Sequence, residues 1–262
     1  ARLELAGKWG HEGAAFASSQ GLSSLDAEDF GGVGEAWLQW STGAGTGAAG
    51  PVLRVKAGRV DANSDFAYSD VAGGFGNPSF GLSPVLAILP SYPAPAASLN
   101  AFVRPRPVGP EVGAGVYRRA DGEYTVVGQV TNGLAGPGSV RWSAGWVEPI
   151  GPGEPGRGAY LIVERSSEAG VSPFVMASGW VAGPRHLAAG ATLPPLPLPV
   201  AAVAGVGASL LVDEGVGDEA VAEVFAALLP ADWLRVQVPG QVHVARGTGP
   251  SLGGLFRVVV DR

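Results

Sequence analysis

Residues 51–60, PVLRVKAGRV, and the forty residues after them, DANSDFAYSDVAGGFGNPSFGLSPVLAILPSYPAPAASLN (61–100), decide how the chain is interpreted. In the first stretch Arg54 and Lys56 alternate with apolar residues, which predicts a strand with one polar and one apolar face. The second stretch carries five prolines, whose spacing prevents a long helix or strand. Its aromatic and aliphatic content is too high for a solvated tail. We therefore expect an ordered loop over residues 61–100 that packs against the rest of the protein.

Three runs in this region, GRVDANSDFAY, GGFGNPSFGLSP and LPSYPAPA, closely resemble the segment that follows an early strand in the carbohydrate-selective porins of Gram-negative outer membranes. Farther along, FVRPRP, GAGVYRRADG, AYLIVERS, SPFVMASGWVAGPRH and AVAEVFAALLPADWLRVQVPGQVHV are similar to later strands of the same family, in the same order. The resemblance covers most of the chain. It implies an antiparallel outer-membrane β-barrel, sixteen-stranded in the family, through which sugars diffuse.

The composition agrees with contact between the protein and lipid. Only 15% of the residues are charged and 46% are hydrophobic, whereas a water-soluble domain usually carries about a quarter charged residues. Every long apolar run, including residues 193–212, is broken by proline or glycine, so a membrane-spanning helix is not expected. A barrel is the other structure that can cross a bilayer. The predicted fold class is all-β, a transmembrane antiparallel β-barrel with an infolded constriction loop.

Alternation of polar and apolar residues marks about fourteen to sixteen candidate strands. The clearest is DWLRVQVPGQVHVAR (232–246), in which Arg235, Gln237, Gln241 and His243 share one face. The run AAVAGVGASLLVD (201–213) is apolar on both faces, so its inward side must rest on other side chains or small residues. Residues 1–262 are predicted to form a single barrel domain, with the constriction loop at 61–100. Members of the family normally have sequence before the part that resembles residues 1–20, so the resemblance leaves open whether further strands precede this chain's first one.

On this interpretation the last patterned strand directs its polar residues into the lumen and its apolar residues into lipid. Val236→Arg is then expected to disturb membrane insertion by about 2–4 kcal/mol near the midplane of the bilayer, and Gln237→Arg to be tolerated.

Several chemistries are not expected. The chain has no cysteine, and its net charge of −6 argues against a nucleic-acid partner. Asp61, Asn63 and Asp65 have the spacing of the first calcium ligands of an EF-hand loop, but Phe66 and Ala72 occupy the positions that require glycine and glutamate. The three histidines are far apart in the sequence and form no metal-binding motif. We expect no metal, no cofactor and no catalytic residues.

The predicted site is the constriction itself, because a barrel of this strand number is wide and only the 61–100 loop is long enough to narrow it. Its carboxylates and amides are expected to face arginine and lysine side chains, which gives sugars both acceptors and donors of hydrogen bonds. The residues predicted to line the constriction and contact sugar are Arg54, Lys56, Arg59, Asp61, Asn63, Asp65, Asn77, Arg104, Arg106, Arg141, Arg235 and Gln237.

The partners expected for such a protein are small sugars and the lipid of the cell outer membrane, and a homo-oligomer is left open. The second interpretation is a soluble all-β domain that binds carbohydrate or processes glycans. A soluble sheet is built from the same alternation with its faces reversed, so periodicity alone does not separate the two.

Overall fold

A computed structural model describes residues 2–8, 30–42, 51–81, 85–86, 95–106, 109–119, 121–132, 138–151, 156–196, 200–215, 217–231, 233–254 and 256–260. The protein is all-β, as predicted. The strands are β1 (Arg2–Lys8), β2 (Phe30–Ser41), β3 (Val52–Val60), β4 (Ala96–Arg104), β5 (Pro110–Arg118), β6 (Tyr124–Asn132), β7 (Val140–Ile150), β8 (Gly158–Arg165), β9 (Ser172–Trp180), β10 (Arg185–Thr192), β11 (Ala201–Val212), β12 (Glu219–Ala231), β13 (Leu234–Ala245), β14 (Ser251–Gly254) and β15 (Arg257–Val260).

All fifteen strands belong to one sheet, and every pair of neighbours is antiparallel. From β1 to β14 each strand pairs with the next one along the chain, and β15 pairs with β13 beside β14. The number of strands confirms the sequence-based count. Among the described residues no ladder joins β1 to β14 or β15, so the sheet is open between its first and last strands.

The long connection between β3 and β4 is shorter than the sequence predicts. It was expected to continue to Asn100, but β4 begins at Ala96 and pairs with β3 from the Val60–Ala96 pair onward. The expectation for residues 96–100 was wrong because no proline follows Pro95 there, so the backbone donors needed for the ladder are present. Residues 82–84 and 87–94 of the predicted loop lie outside the described residues.

We call residues 61–81 together with 85–86 the inner segment. Its regular structure is short: 3₁₀ turns at Ala62–Ser64 and Ala72–Gly74 and one helical turn, α1, at Pro78–Gly81. The Asp61 carboxylate caps the first turn by accepting a hydrogen bond from the Asn63 backbone amide at 2.8 Å. The prediction of an ordered loop without a long regular element is confirmed for these residues.

Aromatic contacts attach the inner segment to one face of the sheet. The ring of Phe75 lies 5.5 Å from that of Phe174 on β9 and 5.0 Å from that of Phe225 on β12. Farther back in the segment, Phe66 stacks at 5.3 Å on Phe102 of β4. These five phenylalanines and the segment's Phe80 are all buried. Aromatic pairs at these separations add to the free energy gained by burying the rings.

Glycines on the inward side of the strands make room for these rings. A Cβ atom at Gly207 of β11 would lie 2.9 Å from the ring of Phe80, and one at Gly115 of β5 would lie 3.0 Å from the ring of Phe66. Glycine at these positions therefore allows the segment to approach the backbone of the sheet. This confirms the expectation that the inward side of residues 201–213 rests on small residues and on other side chains.

The sheet curves around the inner segment. Side chains from β2, at Glu35, through β13, at Gln241, hydrogen-bond to the segment from the same face of the sheet. Residues throughout the segment, such as Phe66 and Ala72, are fully buried, which a flat sheet covering one side of a loop would not achieve. We call the face that contacts the segment the inward face and the opposite one the outward face.

Candidate functional site

The first part of the site is a charged cluster where the inner segment meets β3, β4 and β5. Asp65 of the segment receives the Lys56 ammonium at 2.7 Å and the Asn100 side-chain amide at 2.9 Å. The Lys56 and Asp65 side chains are both nearly inaccessible to solvent. Because a buried charge is costly without a partner, Lys56 and Asp65 require each other.

Two arginines extend this cluster toward solvent. Arg54 reaches Asp65 at 3.5 Å and Glu111 at 3.4 Å, and Arg104 reaches Glu111 at 3.0 Å. The guanidinium of Arg54 also lies 3.9 Å from the centre of the Phe102 ring, a cation–π contact. The cluster thus alternates positive and negative groups along the inward face.

Tyr117 is connected to Asp65 through the side chain of Asn100. Its hydroxyl accepts a hydrogen bond at 2.8 Å from the Asn100 amide nitrogen, which also donates to Asp65, and the ring is fully buried. We expect Tyr117→Phe to lower the free energy of unfolding by about 1 kcal/mol, because one buried hydrogen bond is lost. The check is the midpoint of thermal or denaturant unfolding.

The control for this prediction is Tyr124→Phe, since Tyr124 is half exposed at the start of β6. We expect no change in that midpoint. Equal effects of the two substitutions would contradict the role given to the Tyr117 hydroxyl.

The second part of the site is the Glu164 carboxylate of β8. It accepts hydrogen bonds from the Ser69 hydroxyl and from the backbone amides of Asp70, at 3.4 Å, and Val71, at 3.2 Å. Arg141 of β7 donates from one nitrogen to both Glu164, at 3.2 Å, and Asp70, at 2.9 Å. The inner segment is therefore tied to two adjacent strands at this point.

The third part lies on β12 and β13. The Glu223 carboxylate accepts the backbone amides of Gly76 and Asn77 at 2.7 and 2.8 Å, and the Gln241 side chain donates to it at 2.9 Å. Gly74 lies in the segment between the residues that contact Glu164 and those that contact Glu223. Its carbonyl oxygen accepts hydrogen bonds from Arg235 at 3.1 Å and from Gln237 at 2.9 Å.

A cavity of about 600 Å³ remains between the inner segment and the strands, within the size range of small-molecule sites. It lies where β7, β9 and β11 begin and β8 and β10 end. Two guanidinium groups, from Arg141 and Arg235, line it. Its acceptors and hydroxyl groups come from Asp70, Glu164, Glu168, Ser139, Ser166, Ser167, Ser172 and Thr192.

Tyr68 lies next to these groups in the inner segment. Partial burial raises the pKa of its phenol, and the nearby carboxylates of Asp70 and Glu164 raise that pKa further. The phenol therefore stays protonated at neutral pH and can donate a hydrogen bond.

The structure brings most of the predicted residues to the inward face. Asp65, Arg54, Lys56 and Arg104 lie in the charged cluster, and Arg141 and Arg235 line the cavity. Gln237 of β13 and Asn77 of the inner segment are buried where the segment meets β13, and neither belongs to the cavity lining described above.

Four of the predicted residues have other positions or roles. Arg59 has the opposite strand parity from Arg54 and Lys56, is exposed, and donates to the Gly34 carbonyl. It therefore does not face the acceptors of the segment as expected. Asp61 caps a 3₁₀ turn and Asn63 lies within that turn, and Arg106 is exposed after the end of β4.

Sequence reasoning missed Glu164 and Glu223, two strand carboxylates that accept hydrogen bonds from backbone amides of the segment. A usable signal was present. Each is flanked two residues away by apolar side chains that share its inward face, Ile162 before Glu164 and Phe225 after Glu223. A carboxylate on a buried face needs a specific partner, so this pattern predicts an internal contact.

Other features of the described residues are negative. They hold no group of three or more histidine, cysteine, aspartate or glutamate side chains able to bind a metal ion. None of the helices among them is long and apolar enough to span a membrane.

Comparisons with known proteins gave no match: no family model matches the chain, and no curated protein or solved structure is significantly similar to it. The resemblance of the sequence runs to carbohydrate-selective porins thus remains a prediction.

Proposed function

We propose that this chain forms an outer-membrane β-barrel through which small sugars diffuse. The observation that carries the proposal is the outward face of β4–β13. Its side chains are apolar or small along the whole middle of each strand, as at Leu99, Val206, Val224 and Val238. A water-soluble protein rarely exposes an apolar surface of this extent.

In the described part of β4–β13, charged residues on this outward face occur only near strand ends. Among the described residues of β4–β13 they are Arg118, Glu148, Arg165 and Arg185. On β12 the outward positions from Ala220 to Leu228 carry no charge, over about 30 Å at ~3.3 Å per residue. With the strand tilt usual for barrels, this length matches the apolar band of an outer-membrane protein, about 25 Å tall.

The inward face differs, because buried aromatic side chains such as Phe174 and Phe225 lie there among polar and charged ones. Lys56, Glu164, Glu223 and Gln241 are polar or charged and face the inner segment. Charged groups on the inward face and an apolar outward face are expected of an outer-membrane barrel, whereas a soluble sandwich carries its charged groups on the outward face.

The cavity supports sugars as the solute. Sugar hydroxyls both donate and accept hydrogen bonds, and the lining offers guanidinium donors, carboxylate acceptors and serine hydroxyls that do either. The proposal requires that the sheet, which curves around the inner segment, closes between its first and last strands, where the described residues form no ladder.

The experiment that tests this function uses the chain expressed with an export signal. We expect it in the outer-membrane fraction, soluble only with detergent, and faster on an unboiled gel than after boiling. In planar bilayers we expect stepwise conductance that glucose or maltose reduces.

The alternative, a soluble all-β domain that binds carbohydrate, is favoured by the polar cavity alone. It predicts a protein that is soluble without detergent, unchanged by heating on such a gel, and able to bind sugar without conducting ions. That combination of results would replace the porin proposal.

A further inference from the structure

The inner segment is attached to the strands by side chains that complement its backbone. Acceptors on the strands face backbone amides of the segment, and donors face a backbone carbonyl. Two successive amides, of Asp70 and Val71, point to the Glu164 carboxylate, and two more, of Gly76 and Asn77, point to that of Glu223. Between them the wall supplies donors instead, to the carbonyl of Gly74. The strands therefore present a hydrogen-bond acceptor, then donors, then a second acceptor. The segment presents donors, an acceptor and donors at the same three places.

Both carboxylates are almost fully buried, so water does not replace the segment as their partner. Glu164 lies on β8 and Glu223 on β12, and no strand pair joins these two elements. The two contacts thus fix the segment to distant parts of the sheet. Buried acceptors that receive paired amides of this kind hold a loop in one place, because leaving them unmet costs the full desolvation of the group.

The position of the segment also sets the free space beside it. Asp70, Val71 and Gly74 of the segment line the cavity, together with Glu164 itself. A shift of residues 69–77 away from the wall would therefore enlarge the cavity.

We propose that Glu164 and Glu223 are positioning residues that hold the inner segment against the inward face of the sheet and so set the size of the cavity beside it. This inference rests on the proposed function for its consequence in conductance, but the docking itself can be tested separately. Glu164 is also part of the cavity lining, whereas Glu223 is not, so Glu223→Gln tests the positioning role without changing the lining itself.

The test uses Glu164→Gln, Glu223→Gln and the double variant of the full chain. Glutamine keeps the size of the side chain but replaces one carboxylate oxygen with an NH₂ donor, so one of each pair of backbone amides then faces another donor. The matched control is Glu148→Gln. Glu148 lies on the outward side of β7, pairs with Arg157 at 3.0 Å, and does not contact the segment.

The first readout is amide hydrogen exchange of residues 69–77, measured by mass spectrometry on the purified protein. We expect exchange about tenfold or more faster in each single variant, the size that follows from losing a hydrogen bond to a charged acceptor, and faster again in the double variant. The control should exchange as the original chain does. Unchanged exchange in Glu164→Gln and Glu223→Gln would overturn the inference.

The second readout is single-channel recording in planar bilayers. We expect the fraction of time spent in a larger-conductance state to rise by about tenfold in each single variant. A purely structural role would lower heat stability and leave that fraction unchanged. Faster exchange without larger-conductance events would therefore overturn the link between the position of the inner segment and the conductance.

The two proposals fail in different ways. A chain that never conducts in any variant contradicts the proposed function, and the exchange experiment then still decides whether the carboxylates hold the segment. A chain that conducts, but whose exchange and conductance do not respond to either glutamine, contradicts only the inference about Glu164 and Glu223.

Discussion

Val224→Arg is expected to prevent or strongly impair insertion, at a cost of about 2–4 kcal/mol. Val224 lies at the middle of β12, is paired with Val206 at the middle of β11, and is 62% exposed on the outward face. If that face contacts lipid, an arginine there must bring its charge to the centre of the bilayer. The measurement is the yield of the heat-modifiable form in the outer membrane, followed by denaturant unfolding of the variant in lipid vesicles.

The matched control is Val181→Arg. Val181 is 80% exposed in the turn between β9 and β10, so the same substitution near the interface should cost only about 0–1 kcal/mol. In a soluble protein both valines face water, and both substitutions would be harmless. Equal tolerance at the two positions would thus reject a membrane location for the outward face.

The structure changes the expectation for the pair of substitutions that the sequence suggests on β13. The side chains of Val236 and Gln237 lie on opposite faces of β13, as the alternation predicts. Gln237, however, is only 1% exposed and donates to the Gly74 carbonyl. Gln237→Arg must therefore displace the inner segment, and tolerance is no longer expected at that position.

The sheet could be predicted from the sequence because period-two alternation is a local property. On β13 the inward set of Arg235, Gln237, Gln241 and His243 agrees with the prediction. Arg59 shows an error that the same rule would have avoided, since an odd-numbered residue of β3 cannot share a face with Arg54 and Lys56.

The contacts of the inner segment could be predicted only in part. Its order followed from its aromatic residues, but which strand each ring meets depends on the curvature of the whole sheet. Phe75 contacts Phe225, which is one hundred and fifty residues later in the chain, and no local pattern specifies such a pair. The serines of the β8–β9 turn at the cavity, Ser166 and Ser167, likewise have the composition of any exposed turn.

Replacing residues 61–95 with Asn-Gly is expected to raise conductance severalfold and to abolish block by maltose or glucose. Val60 and Ala96 are directly paired on β3 and β4, so a two-residue turn of this type can connect them without changing the register. The control replaces residues 212–218 with the same dipeptide, between the paired residues Leu211 and Glu219 at the same end of the sheet. That change shortens the connection between β11 and β12 and leaves the inner segment in place, so conductance and sugar block should stay as they are.

The physical reason for the expected increase is that the inner segment lies against the inward face of the curved sheet, which the proposed function makes the lining of the pore. Without it, Glu164 and Glu223 become hydrated, while Phe174 and Phe225 lose the ring of Phe75 and face water. The variant should therefore be less stable as well as more conductive, and the unboiled gel shows whether it still folds. A folded variant that keeps the original conductance and sugar block would mean that the segment does not form the constriction, even though it lies against the inward face.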